Sequence, residues 1–170
     1  MAENLSPSFE AKLHSVEGEG VVRMKCTYED DCADVWSALT DPQRLAKWYG
    51  SVHGDLHVGS EFTAFVTASE WDGRGRVDVC VPLQKLEVTM WEVEDAEHTV
   101  AGELIEDGDL TTLVLEVRGL PLDLVWAYGA GWHVHLEDLG THLSGQENLN
   151  LSTRWDELEP LYREMTVVPL

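Results

Sequence analysis

The chain has 170 residues, and its 32 acidic against 11 basic side chains give a formal net charge of −21. Such a surface repels phosphate backbones and anionic lipid headgroups, so we expect neither nucleic acid nor a membrane as a partner. No apolar run approaches the roughly 20 residues that cross a bilayer, and the N-terminus lacks the basic-then-apolar order of a signal peptide. We therefore expect a cytoplasmic protein. Three cysteines without paired spacing argue against a disulfide framework and a zinc knuckle.

The first predicted elements are a strand and a pair of short helices. Residues 20–27 alternate apolar and polar side chains, which is typical of a strand with one buried face. Residues 33–40 repeat apolar side chains at helical spacing. Asp41 and Pro42 end this helix and begin a second one, because proline is tolerated in a first helical turn but not in a helix interior. Gly50 ends the second helix.

Six further strands are predicted in the middle of the chain. They span about 52–58, 61–68, 74–81, 85–93, 98–106 and 110–118. The gaps between them are too short for crossover helices, so neighbouring strands should pair antiparallel. In the last three strands one face is apolar and the other carries Glu and Thr, which indicates a sheet with one buried and one solvated face.

A long amphipathic helix is predicted from about 124 to 143. Its apolar side chains recur every three or four residues, as in a helix that lies on a sheet. Gly129 and Gly131 near its start each cost about 1 kcal/mol of helix propensity relative to alanine. They suggest that the first turn is loose, or that a backbone or ligand approaches closely there. A short terminal helix is expected at 154–165.

Several motifs along the chain, taken in order, resemble those of one protein family. They are Val35-Trp36, Leu39 to Pro42, Trp48-Tyr49-Gly50, Val58-Gly59, Gly75-Arg76-Val77, Leu86 with Thr89, and Gly131-Trp132 with Leu136 and Leu139. The chain is similar in these motifs to the activator of heat-shock protein 90 ATPase homologues, within the START / Bet v 1-like (SRPBCC) superfamily. The resemblance covers roughly residues 20–145. The chain departs from the family pattern at Ser60, where a second glycine is usual, and at Met90, which separates Thr89 from Trp91.

The resemblance implies an α+β helix-grip fold. In this fold a curved antiparallel sheet of six to seven strands wraps around a long C-terminal helix, with a short helical pair after the first strand. The implied organisation is an N-terminal extension at 1–19, a helix-grip domain at 20–145, and a short helix and tail at 146–170.

The helix-grip fold places a cavity between the sheet and the long helix, and this cavity is the predicted site. We expect a hydrophobic small molecule there, with no cofactor. The predicted lining combines inward strand positions with the first turns of the long helix: Phe62, Ala64, Val77, Val79, Val88, Met90, Leu104, Leu113, Leu115, Tyr128 and Trp132. Seven tryptophans fit either dense core packing or an aromatic-lined pocket, and both readings stay open.

Other chemistry is less well supported by the pattern. No metal site is expected, because His133 and His135 lie on nearly opposite helix faces, although His135 and His142 could share a face beside Asp138. A second histidine group, His53 and His57 around Asp55, lies on one predicted strand and could bind a cation adventitiously.

Two further functions remain as alternatives to ligand binding. A cyclase- or hydrolase-type enzyme would need an acid–base pair inside the cavity, for which His135 or Tyr128 with Glu92 are the candidates. The family's name suggests a co-chaperone-like interaction module, whose sign would be an exposed apolar patch, such as one shared in a homodimer.

Overall fold

The computed structural model of the chain describes residues 9–67, 69–92, 97–147 and 151–170. Its elements follow in this order: β1 (Phe9–Val16), β2 (Glu19–Tyr28), α1 (Cys32–Thr40), α2 (Pro42–Trp48), β3 (Gly50–Gly54), β4 (Glu61–Val66), β5 (Trp71–Val81), β6 (Lys85–Trp91), β7 (His98–Asp107), β8 (Leu110–Pro121), a single 3-10 turn (Leu122–Leu124), α3 (Val125–Leu143), α4 (Leu151–Arg163) and β9 (Val167–Pro169). The predicted turn at 94–96 and the predicted strand ends at 68 and 93 lie outside the described residues.

The strands form one sheet in the order β3-β4-β5-β6-β7-β8-β2-β1-β9, and α3 packs along its inner face. Leu136 and Leu139 of α3 are fully buried against it. The Tyr28 hydroxyl of β2 donates a hydrogen bond of 2.8 Å to the carbonyl oxygen of Leu136, which ties the helix to the sheet. This arrangement is the predicted helix-grip fold. No helix among the described residues is long and apolar enough to cross a bilayer.

The sheet has nine strands, so the predicted count of six to seven is wrong. The segment at 1–19, predicted as an extension, contains β1, which pairs with β2 from Phe9 to Val16. The connection is a two-residue turn in which Glu17 and Gly18 both have positive φ, the geometry that joins twisted strands most readily. Glu-Gly is not a typical sequence for this turn, which is why the pattern did not reveal it.

The expectation of purely antiparallel pairing is also wrong at one edge. β9 lies parallel to β1, with Leu13 opposite Val167. β9 has only three residues and no alternation of its own, and α4 carries the chain round to that edge. The position of α4 therefore determines this pairing, because α4 packs on α3 and places the residues that follow it beside β1.

The paired short helices form as the sequence predicts. Asp31 caps α1 and Asp41 caps α2, with carboxylate oxygens that accept hydrogen bonds from backbone N–H groups in each first turn. Pro42 is the first residue of α2. The Trp48 indole N–H donates to the carbonyl oxygen of Ala38 at 2.9 Å, which fixes the two helices against each other.

The terminal helix α4 packs on the outer side of α3 through the buried Leu158 and Tyr162. Arg154 donates two hydrogen bonds to the Glu137 carboxylate, at 2.7 and 2.9 Å. Burial alone would raise the pKa of Glu137, but its bonds with His133 and Arg154 outweigh burial and hold that pKa at about 2. An ionised Glu137 therefore anchors α4 to α3.

Candidate functional site

A chamber of about 120 Å³ lies between the sheet and the inner face of α3. Its walls come from the sheet, from both short helices and from α3, and they are almost entirely apolar. The lining residues are Trp36, Leu39, Thr40, Leu45, Trp48, Tyr49, Val52, Leu56, Phe62, Val77, Leu86, Val88, Met90, Val100, Gly102, Leu104, Leu113, Leu115, Trp132 and Leu136. The Thr40 hydroxyl is satisfied within its own helix, because it donates to the Trp36 carbonyl oxygen at 2.8 Å.

A wider and more polar cleft of about 810 Å³ adjoins this chamber. It lies where α3 begins, between the ends of β4 to β7 on one side and α4 on the other. Its lining includes the carboxylates of Glu70 and Glu92 together with His98, Tyr128 and Trp155. Ring contacts continue across it, since the His98 ring centroid is 5.7 Å from that of Tyr128 and 6.1 Å from that of Trp71.

Three side chains line both spaces and separate them: Tyr49, Met90 and Trp132. We call them the divider. The rings of Tyr49 and Trp132 stack with centroids 5.8 Å apart and planes 25° apart. The Tyr49 hydroxyl donates to the Met90 sulfur at 3.8 Å. A single layer of side chains therefore stands between the apolar chamber and the open cleft.

His135 lies beside the divider, on the cleft side. Its ring centroid is 5.2 Å from that of Tyr49 and 5.5 Å from that of Trp132. Burial lowers the pKa of His135 to about 4, against the smaller opposing effect of a hydrogen bond to the Trp48 backbone. The ring is therefore neutral at pH 7. Its Nδ1 atom is buried and has no hydrogen-bond partner among the described residues.

The structure brings most of the predicted lining residues together. Eight of them line the chamber: Phe62, Val77, Val88, Met90, Leu104, Leu113, Leu115 and Trp132. Tyr128 lines the cleft instead, because it lies one helical turn before Trp132, towards the start of α3. Ala64 is buried in the core without lining either space. Of the two glycines near the start of α3, Gly129 is packed against Tyr162 and Leu13, and Gly131 lines the cleft.

Val79 does not face the chamber, and its predicted inward orientation is wrong. The register of β5 against β6 shifts between Val77, which pairs with Val88, and Val79, which pairs with Glu87. Asp78 is the extra residue of this β-bulge, and a bulge reverses the alternation that follows it. Cys80 therefore takes the inward side and packs against the core.

Sequence reasoning missed the contribution of the short helices to the chamber. Four apolar side chains of these helices line the chamber but were not assigned to the site: Trp36, Leu39, Leu45 and Trp48. Tyr49 was missed because it follows the last residue of α2, where helical periodicity ends. The apolar pairing of Leu45 with Trp48 was the available signal for this wall.

The other candidate groups do not form a metal site. The described residues hold no cluster of three metal-ligating side chains. His53 lies in β3, which ends at Gly54, so Asp55 and His57 do not continue the same strand. His133 contacts the Tyr162 hydroxyl at 2.7 Å, and His142 accepts a hydrogen bond from Arg44 at 3.1 Å. These two histidines therefore serve packing between helices.

A family model of activator of Hsp90 ATPase homolog 1-like proteins matches residues 31–144, about two thirds of the chain. The chain belongs to this family. The predicted resemblance is thereby confirmed. The match runs from the cap of α1 to the end of α3, so it includes every element that contributes a residue to the chamber. No curated protein matches the chain.

Several solved structures share this fold. CalU16 from Micromonospora echinospora superposes with a TM-score of 0.76 at 23% identity, over 92% of this chain and 96% of that chain. The protein encoded by gene BPP1335 of Bordetella parapertussis gives 0.71 at 24% identity, over 86% of each chain. DynU16, a putative protein in the dynemicin biosynthetic locus, gives 0.69 at 24% identity, over 76% of this chain and 49% of that chain. These likenesses concern the fold.

Proposed function

We propose that this family member binds a hydrophobic small molecule between the sheet and α3, without catalysing a reaction. The observation that carries the proposal is the apolar chamber of about 120 Å³ behind the divider. An engineered apolar cavity of about 150 Å³ stays dry and binds benzene, so a space of this size accepts one aromatic ring or a branched alkyl group. The chamber can therefore hold the hydrophobic terminal group of a ligand.

The rest of the ligand would lie in the cleft. Typical ligand pockets measure about 300–1,000 Å³, which the chamber alone does not reach but the two spaces together do. Burying about 300 Å² of apolar ligand surface contributes roughly 7 kcal/mol before the cost of association is subtracted. Micromolar binding is therefore expected without a charged anchor.

Two further considerations support this reading. DynU16, a putative protein in the dynemicin biosynthetic locus, shares this fold, which supports a small molecule as the ligand. The net charge of −21 disfavours nucleic acid and anionic membranes as competing partners. We accordingly propose that the protein acts in the cytoplasm on a diffusible ligand.

Filling the chamber tests the proposal directly. Gly102 lines the chamber, and a Cβ added there meets only the end of the Leu113 side chain, at 3.3 Å. Gly102→Val should therefore fold, occupy the space and weaken binding of the uncharged probe N-phenyl-1-naphthylamine at least tenfold, measured by probe fluorescence and by quenching of tryptophan emission.

The matched control is Ala101→Val, one residue away on the opposite face of β7. Ala101 pairs with Glu87 and Glu116 on the outer side of the sheet, so this variant should bind the probe like the original protein. Equal binding by both variants would place the probe outside the chamber. If the original protein binds no uncharged apolar probe, the binding proposal fails and the protein-interaction alternative takes precedence.

An enzymatic alternative rests on a specific observation as well. His135, Tyr128 and Glu92, the predicted acid–base candidates, all line the same cleft. Native mass spectrometry of protein from its own host, followed by extraction of the bound molecule, separates the two functions. A carrier releases the molecule unchanged after incubation, whereas a cyclase or hydrolase converts it.

A further inference from the structure

Two buried polar groups meet at the divider with their hydrogen-bonding capacity poorly used. The Tyr49 hydroxyl is buried and donates to a thioether sulfur, which is a weak acceptor. The Nδ1 atom of His135 has no partner among the described residues, although His135 is only 6% exposed. Because buried polar groups in proteins are nearly always hydrogen-bonded, two such groups on neighbouring rings require an explanation.

The hydrogen-bonding roles of the two groups are complementary. The His135 ring hydrogen-bonds the Trp48 backbone. Because Nδ1 is unpartnered, we assign this bond to Nε2, with the Trp48 carbonyl oxygen as the acceptor. The neutral ring then carries its proton on Nε2 and presents a lone pair on Nδ1. Tyr49 offers an O–H donor and His135 an acceptor, side by side.

We infer that the Tyr49 hydroxyl and His135 Nδ1 form the polar anchor of the ligand site, and that the ligand is an uncharged apolar molecule with a phenol or alcohol group. The ligand hydroxyl donates to His135 Nδ1 and accepts from the Tyr49 hydroxyl. This inference rests on the proposed function and names its ligand class. The Trp132 ring, which lies against both anchor residues and is only half-buried, moves aside to admit the ligand.

The lining of the two spaces favours an uncharged ligand. No lysine or arginine is among the residues that line the chamber or the described part of the cleft. An anion would therefore meet no counter-charge, and the Glu70 carboxylate at the cleft would repel it. A cation would be drawn to the Glu70 and Glu92 carboxylates of the cleft rather than to the anchor, whose apolar surroundings would not repay the desolvation of a charge.

A pair of probes of nearly equal shape isolates the anchor. 2-Naphthol and 2-methylnaphthalene differ by a hydroxyl against a methyl group, and isothermal titration calorimetry gives the ratio of their dissociation constants. Tyr49→Phe keeps the ring stack and removes the donor. His135→Gln keeps an N–H for the Trp48 carbonyl and removes the Nδ1 acceptor. Each variant should shift the ratio about tenfold against 2-naphthol, the usual effect of one lost hydrogen bond.

Two controls accompany the measurement. Thr141→Val, near the end of α3, removes a hydroxyl that lines neither space and donates to the Glu137 carbonyl oxygen at 3.0 Å, so the ratio should stay within about twofold of the original. Binding of 2-methylnaphthalene should be nearly equal in all variants, and near-ultraviolet circular dichroism checks their folding. If His135→Gln does not fold, Tyr49→Phe still decides the role of the donor.

The outcomes are distinct. If both probes bind and the ratio is unchanged in Tyr49→Phe and His135→Gln, the anchor is refuted while the proposed binding function stands. A shift in only one of two folded variants refutes the two-point anchor. If neither probe binds the folded original protein, the proposed function falls and the anchor falls with it.

Discussion

His135 is an ionisable residue that the fold keeps neutral, and this has a consequence for stability. Its pKa is about 4 in the folded protein because of burial, against 6.5 as the ordinary value. Between these values the unfolded chain binds a proton that the folded protein does not. The free energy of unfolding therefore falls as the pH falls through this window, and the contribution of His135 is constant above it.

We predict that His135→Gln flattens this pH dependence. Lowering the pH from 7.5 to 5.5 should cost the original protein about 1 kcal/mol through His135, and this part of the loss should vanish in the variant. Urea unfolding at the two pH values measures the difference. Ser51→Ala, at an exposed position of β3 that carries no ionisable group, is the control and should keep the original slope. Equal slopes in the original protein and His135→Gln would show that folding does not lower the pKa of His135.

At the scale of the elements, the contact between α4 and α3 gives two glycines of α3 different surroundings. Gly129 and Gly131 lie two residues apart in α3, but their surroundings differ. A Cβ at Gly129 would lie 2.9 Å from Tyr162 and 3.0 Å from Leu13, whereas a Cβ at Gly131 would find its nearest atom, on Trp155, at 4.0 Å. The close approach anticipated from the sequence thus occurs at Gly129, and the approaching group is α4 with β1.

Alanine should therefore act in opposite directions at the two glycines. Gly131→Ala should raise the free energy of unfolding by about 0.5–1 kcal/mol, because alanine favours the helix and nothing obstructs it. Gly129→Ala should lower the free energy of unfolding by about 1–3 kcal/mol, because the added methyl overpacks the interface with α4. Urea unfolding of both variants measures the contrast. Stabilisation by both substitutions would mean that α4 does not pack closely on Gly129.

At the scale of the whole molecule, the excess of acidic residues dominates the electrostatics of the protein. All seven arginines already pair with carboxylates, through Arg23, Arg44, Arg74, Arg76, Arg118, Arg154 and Arg163. With 32 acidic residues in the chain, most carboxylates have no arginine to offset them. Their mutual repulsion opposes the compact state, and salt screens it over a Debye length of about 10 Å at 0.1 M.

We predict that the melting temperature rises by a few degrees between low salt and about 0.3 M sodium chloride, as repulsion is screened. Differential scanning calorimetry measures it, and sucrose at equal osmolality controls for general solute exclusion. A melting temperature that stays flat or falls would contradict the prediction. It would show that salt weakens the stabilising ion pairs at least as much as it weakens the repulsion between carboxylates.

Much of the architecture was predictable because the residues that determine it are close in sequence. Alternation defined the central strands, the three-and-four stripe defined α3, and Asp41 with Pro42 defined the junction of the short helices. The same local patterns carried the family resemblance. The inward faces of β4, β6, β7 and β8 consequently supplied six of the eight chamber residues that were predicted correctly.

The remainder depended on tertiary structure. The alternation of apolar and polar residues does not reveal the bulge at Asp78, because an extra residue in one strand is defined only by its pairing with the neighbouring strand. The prediction therefore placed Val79 on the wrong face. The divider was equally hidden, since Tyr49 and Trp132 lie 83 residues apart and meet only when α2 is folded against α3. The sequence by itself determined which faces are apolar and that the surface is acidic. Whether those faces touch or enclose a space depends on the separation of packed elements, which periodicity does not encode.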